Sequence, residues 1–209
     1  MNKTNKPSKR KLFREGILTM NPVVVGAFGL FPIVSAGTSL KQGVVISLLI
    51  LITMPIVSGM TSLFGKLMPK WLRAAFYVIA ASLILIPLTI LLRAALDIPN
   101  NFLDLFIPLI SVNAIISYRA EKFAVTHSLK RSLLDALANG LGFTLVMLLV
   151  SVVREVLGSS TLWDVPILWG KRIDGLLLPL GGFIILGFMA ALLKHIISKT
   201  SEKEAGQND

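Results

Sequence analysis

The polar side chains best placed for chemistry are Asp104, Asn113, Asp135, Arg154 and Glu155, which lie inside or beside long apolar runs. An ionised group in hydrocarbon is costly, so it turns to a polar pathway, a partner or an opposite charge. Asp135, near the start of one run, suits a moving cation at a pathway entrance, or an interfacial carboxylate paired with Arg131 four residues earlier. Asp104 suits the same pathway or, preferably, complements the exposed amides at a helix N-terminus. Asn113 offers a side-chain amide at mid-run. Arg154 and Glu155 precede Gly158-Ser159-Ser160, where an arginine can satisfy terminal carbonyls, so they read first as fold-defining. Arg119, Glu121 and Lys122 fit a hydrated interface, the organisation of a connection, or contact with a neighbouring subunit.

Other chemistries are excluded by what the chain lacks. It has no cysteine, so disulfides, thiolate catalysis and cysteine-ligated zinc or iron-sulfur sites cannot form within it. Its two histidines, His127 and His195, are far apart in sequence and suit structural or solvated roles. No P-loop or dinucleotide fingerprint is present. No catalytic residue or metal ligand is therefore assigned, and any substrate chemistry resides in another chain.

The elements that must carry these residues are membrane helices. Hydrophobic residues make up 54% of the 209 positions, and the mean hydropathy is +0.77, far above globular usage. Apolar runs fall near 19–38, 42–64, 72–96, 102–118, 133–157 and 175–197, each about long enough to cross a ~30 Å hydrocarbon core. The basic start followed by an apolar run has the outline of a signal peptide with a small-residue site near Ser35-Ala36. Retention as a first span is the simpler reading, because the run is long and interrupted by Pro22 and Pro32. We divide the chain into a basic arm (1–18), a six-span all-α membrane domain (19–198) and a disordered tail (199–209).

The net charge of +10 is distributed in clusters between the apolar runs, which matches lipid headgroups rather than nucleic acid. The arm carries Lys3, Lys6, Lys9, Arg10, Lys11 and Arg14, and further basic residues surround Lys66 to Arg73, Arg119 to Arg131 and the tail. The alternate loops hold far fewer: Lys41, Arg93, Arg154, Lys171 and Arg172. The positive-inside rule then places both termini in the cytoplasm, with the chain in a cytoplasmic (inner) membrane.

The two halves share features. Ser39-Leu40-Lys41 and Ser128-Leu129-Lys130 each lead into a longer run. Three spans per half imply an inverted-topology repeat. Spans one and four are expected to be broken helices, since one contains Pro22, Gly26, Gly29 and Pro32 and the other Pro108 and Asn113. Where such breaks meet in mid-membrane, free backbone groups make a natural site for an ion or cofactor, although prolines also kink packed helices without function.

Gly29-Leu30-Phe31-Pro32, Ile107-Pro108-Leu109-Ile110 with Asn113, Arg119-Ala120-Glu121-Lys122-Phe123-Ala124 and Arg154-Glu155-Val156-Leu157-Gly158 occur in a telling order, joined by Asp135 and by Pro179-Leu180-Gly181-Gly182-Phe183. In these segments the chain resembles the Rnf/Nqr membrane subunits, of the RnfE/NqrD type, from about Asn21 to Lys194. The resemblance implies a six-helix subunit paired with an inverted RnfA/NqrE-like sister and other Rnf/Nqr-like subunits. Such a complex couples electron transfer to sodium or proton movement, with iron-sulfur and flavin groups in partner subunits. It also implies a cysteine in each broken helix, helping to hold a two-iron two-sulfur cluster. Those positions here are Phe31 and Ala114. A phenyl ring and a methyl group offer iron no lone pair, so the cluster cannot be assembled as in the family.

Two further readings stand beside this one. A divergent inverted-repeat paralogue would transport an ion or small solute through the broken helices. A structural subunit would hold a partner through close helix approach at Gly140, Gly142, Gly181 and Gly182.

Overall fold

Long apolar runs with few charges dictate the frame, because a helix satisfies its own backbone and leaves only side chains to be packed. The computed structural model describes residues 13, 16–17, 21–96, 100–163, 165–167 and 172–205. In chain order the helices are α1 (Leu30–Ala36), α2 (Leu40–Phe64), α3 (Lys70–Leu96), α4 (Asn100–Ser111), α5 (Ala114–Arg119), α6 (Leu129–Arg154) and α7 (Pro179–Ala205). π-helical turns at Ala120–Ala124 and Glu155–Ser159 continue α5 and α6, and a 3-10 turn at Asp174–Leu176 precedes α7. A small antiparallel hairpin pairs Thr161–Leu162 with Val165–Pro166, an addition the apolar pattern did not announce.

The two longest-buried helices, α2 and α6, make the core. Val45, Ile46, Leu49, Ile50, Met54 and Val57 of α2 are buried, as are Phe143, Val146, Met147 and Val150 of α6. Both open on a Ser-Leu-Lys, with Ser39 and Ser128 in extended conformation as the residue before the first turn. By contrast α3 leaves Ile79, Leu83, Ile86 and Ile90 exposed along its length, a face suited to acyl chains or another subunit.

Three stretches, Leu40–Phe64, Lys70–Ala95 and Leu129–Ser159, are long and apolar enough to cross a membrane, and Pro179–Leu192 is a shorter apolar helix. The first and fourth expected spans are interrupted. In the first, turns precede the seven residues of α1; in the fourth, α4 stops at Ser111 and α5 restarts at Ala114. The α7 backbone continues to Ala205, because Lys, Glu and Ala extend a helix cheaply once it has begun. Residues 206–209, the end of the expected tail, lie outside the described residues, as does most of the basic arm.

The small residues act within the chain. A Cβ on Gly142 would lie 2.4 Å from the Gly16 carbonyl oxygen, and one on Gly182 would lie 3.3 Å from Val34 Cα. Gly140 meets Leu51, and Gly181 meets Leu176 at 2.4 Å. The four glycines proposed for partner contact instead let the elements of this chain approach one another.

Candidate functional site at the junction of two interrupted helices

Gly29 makes the first break. Its φ of 75° is left-handed, and a Cβ there would lie 3.0 Å from the Phe143 ring. Helix α1 therefore begins at Leu30 and places Phe31 and Pro32 in its first turn. Pro108 and Asn113 make the second break. Proline withdraws a backbone donor from α4, and Asn113, in extended conformation, restarts the chain as α5, its Oδ1 accepting from Ile115 N at 3.1 Å.

The two breaks meet. A cavity of about 210 Å³ is lined by residues 29–32 from the first and by Leu109, Val112, Asn113 and Ala114 from the second. Its mouth is apolar and open: Phe31 is 53% and Val112 57% exposed, and Ala114 is exposed as well, while Asn113 is buried at 6%. Phe31 and Ala114, far apart in the chain, thus share one small site. An iron-sulfur cluster does not fit this lining. The Phe31 ring and Ala114 methyl carry no donor, and Asn113 has committed its oxygen to Ile115 N and presents an N–H, which does not ligate iron.

The other candidate residues lie elsewhere. Asp135 is 2% exposed, and its carboxylate accepts from Arg119 Nε at 3.0 Å through Oδ2 and from Arg119 Nη2 through Oδ1. Asn139 Nδ2 adds bonds to the Asp135 carbonyl at 2.8 Å and to Oδ1 at 3.2 Å. The expected pairing with Arg131 is corrected: the guanidinium fork of Arg119, delivered by the end of α5, takes both oxygens of the buried carboxylate. The Arg119 guanidinium also lies 5.6 Å from the centre of the Phe123 ring. Helix α5 therefore starts at the cavity and ends on Asp135.

Asp104 is likewise corrected. It is the fifth residue of α4 and pairs with Arg93 of α3, so it ties two helices together rather than complementing the first amides. Glu121 accepts from Arg73 Nη1 at 3.1 Å and from the Tyr77 hydroxyl at 2.5 Å, linking the π-helical turn to α3. His127 stacks on Phe123 at 3.9 Å, a structural role. Among the described residues no cluster of three or more His, Asp or Glu is arranged for a metal.

Arg154 and Glu155 define the fold over longer distances than expected. Arg154, fully buried, donates to the carbonyls of Val34 at 2.6 Å, Leu176 at 2.9 Å, Leu177 at 2.7 Å and Leu178 at 3.1 Å. It thereby fastens α1 and the entry to α7 onto the end of α6. Glu155 Oε2 accepts from Leu40 N at 2.6 Å and so caps α2, where Ser39 supplies no side-chain bond. Asn21 was not foreseen. Its Nδ2 donates to the carbonyls of Ile17 and Gly142, both at 2.9 Å, and its Oδ1 accepts from Val23 N at 2.9 Å. The available signal was an asparagine directly before Pro22 within an apolar run.

Comparison with known proteins agrees with this architecture. Residues 9–190 match the family described as "Rnf-Nqr subunit, membrane protein". A protein of Glaesserella parasuis serovar 5, named as the E subunit of an ion-translocating oxidoreductase complex, is 34% identical over 205 residues, covering 91% of this chain and 89% of its own length. Proteins of the same name from Shewanella loihica, 31% identical over 92% of the chain, and Haemophilus ducreyi, 32% identical over 88%, cover 89% and 87% of their own lengths. The match over most of both lengths places the chain in the Rnf-Nqr membrane subunit family.

Proposed function

We propose that the chain is the E-type membrane subunit of an ion-translocating oxidoreductase complex and works without cluster ligands of its own. The near full-length likeness to relatives carrying that name supports the first part. Phe31 and Ala114 at the junction support the second. Electrons then pass through iron-sulfur and flavin groups held by other subunits, and this chain contributes helices, an interface and ion-pathway surface. The exposed mouth at Phe31, Val112 and Ala114 faces an RnfA/NqrE-like sister subunit in this arrangement.

The parallel construction of the halves supports an inverted repeat of three spans each. In both, a break precedes a short helix, then a Ser-Leu-Lys, then a long helix, of 25 residues in α2 and 26 in α6. The basic clusters support cytoplasmic termini in the inner membrane. Asp135 is assigned as the residue closest to an ion path, with Arg119 as its counter-charge.

A second reading, transport of an ion or small solute by this chain alone, draws on the cavity between the breaks. Purification in mild detergent, with identification of bound subunits and measurement of flavin, iron and acid-labile sulfide, separates the two. Flavin-bearing and iron-sulfur subunits in stoichiometric amounts are expected. A lone, colourless protein would overturn the complex reading and favour the transporter.

A further inference from the structure

Residues 65–69 join α2 to α3, so this turn sits where two helices of membrane-crossing length leave the hydrocarbon. It carries an unusual pairing of side chains. Leu67 and Trp71 are 81% and 79% exposed, more than any other large apolar residue described. Lys66 and Lys70 precede them, both exposed, and among the described residues neither side chain has an acidic partner. The chain offers few. No Asp or Glu occurs between Glu15 and Asp97, and Glu121, which reaches this end of α3, is already taken by Arg73 and Tyr77.

The surface continues below the turn. Leu72, Ile79, Leu83, Ile86 and Ile90 are exposed and fall on one face of α3, so an apolar strip descends from the first turn of the helix. Of the three long apolar stretches, this one is the least buried within the chain. An acidic protein segment would neutralise the lysines and leave Leu67, Trp71 and the strip uncovered. A zwitterionic lipid would cover the strip but bring a cation alongside its phosphate. A lipid of net negative charge satisfies both parts: its phosphate meets the lysines, and an acyl chain lies along the strip. Trp71 then stands at headgroup depth, where an indole is favoured.

We infer that the turn between α2 and α3 is a selective site for an anionic phospholipid, held by Lys66 and Lys70 with Leu67 and Trp71 inserted beside it. The inference needs only that α2 and α3 cross the membrane, so it stands or falls apart from membership of the complex.

The test uses the full chain in nanodiscs, with Trp163→Phe and Trp169→Phe leaving Trp71 as the single tryptophan. Lipids brominated on the acyl chains quench tryptophan on contact, so quenching gives the binding of phosphatidylglycerol relative to phosphatidylcholine at Trp71. A preference of about tenfold or more for phosphatidylglycerol is expected. Lys66→Gln/Lys70→Gln should abolish it, and Lys66→Arg/Lys70→Arg should retain it. Lys130→Gln/Arg131→Gln, which removes the same charge at the start of α6, should leave it unchanged. Equal quenching by the two lipids, or a preference indifferent to Lys66→Gln/Lys70→Gln, would overturn the inference. Loss of a copurifying soluble subunit from that variant, with lipid selectivity intact, would mark an acidic protein as the occupant and overturn it too.

Discussion

Arg119 and Asp135 form a bidentate ion pair between α5 and α6, with the carboxylate almost wholly buried and the guanidinium one quarter exposed. Removal of either partner leaves the other uncompensated, at a cost of about 3–5 kcal/mol when the remaining charge cannot reach water. The burial is unequal, so the effects should be unequal. Arg119→Ala, which strands Asp135, is expected to approach that cost, and Asp135→Ala, which frees a guanidinium able to reach solvent, to fall below it. Denaturant unfolding in detergent checks the order. Equal losses would contradict the geometry. If Asp135 also serves the ion path, Asp135→Asn will change the sodium dependence of turnover in the intact complex.

Arg154 should tolerate no substitute. Its hydrogen bonds to four carbonyls of α1 and the approach to α7 use the guanidinium fork, which lysine cannot reproduce. With each such bond worth roughly 1.5–3 kcal/mol, Arg154→Lys is expected to lower the folded yield several-fold. Glu155→Gln, which keeps an oxygen for Leu40 N, should be milder. The monodisperse fraction on size exclusion after detergent extraction measures both.

Two glycines make a matched pair. A Cβ on Gly142 meets the Gly16 carbonyl oxygen at 2.4 Å and Asn21 Nδ2 at 3.0 Å, so Gly142→Ala must push the N-terminal segment away and break the Asn21 bond. A loss of about 1–3 kcal/mol is expected. A Cβ on Gly187, inside α7, meets nothing within 4 Å, so Gly187→Ala should stabilise by about 0.4–1 kcal/mol. Thermal unfolding of the two variants in parallel reads the difference in sign.

Orientation has a direct test. Green fluorescent protein fused to either end should fluoresce, and alkaline phosphatase at either end should be inactive, if both termini are cytoplasmic. An active phosphatase at one end would remove a span from the count and with it the inverted repeat.

The long helices were legible because composition and length suffice for them: α2, α3 and α6 begin within a few residues of the expected runs. The breaks were legible too, since proline, glycine and asparagine interrupt a helix through their own backbone and side-chain chemistry. Partners across the fold were not. Spacing along the chain points Asp135 to Arg131, and only the packing of the π-helical turn after α5 against α6 brings Arg119 to it instead. An arginine at the end of an apolar run before Gly158 reads as a residue that satisfies carbonyls, but the acceptors of Arg154 lie in α1 and before α7, where sequence spacing gives no guide. Asp104 illustrates the same limit, because its pairing with Arg93 depends on how α3 and α4 lie side by side.

The breaks near Phe31 and Ala114 line a single site, and the functional reading depends on that junction. The natural chain contains no cysteine, so thiols introduced there report without background. The decisive measurement is thiol cross-linking of Phe31→Cys/Ala114→Cys in native membranes, with a protease site inserted in the loop between α2 and α3. After cleavage the two fragments should remain joined in the double variant and separate in each single variant. Separation in the double variant, with both thiols shown to be reactive, would contradict a shared site and the function built on it.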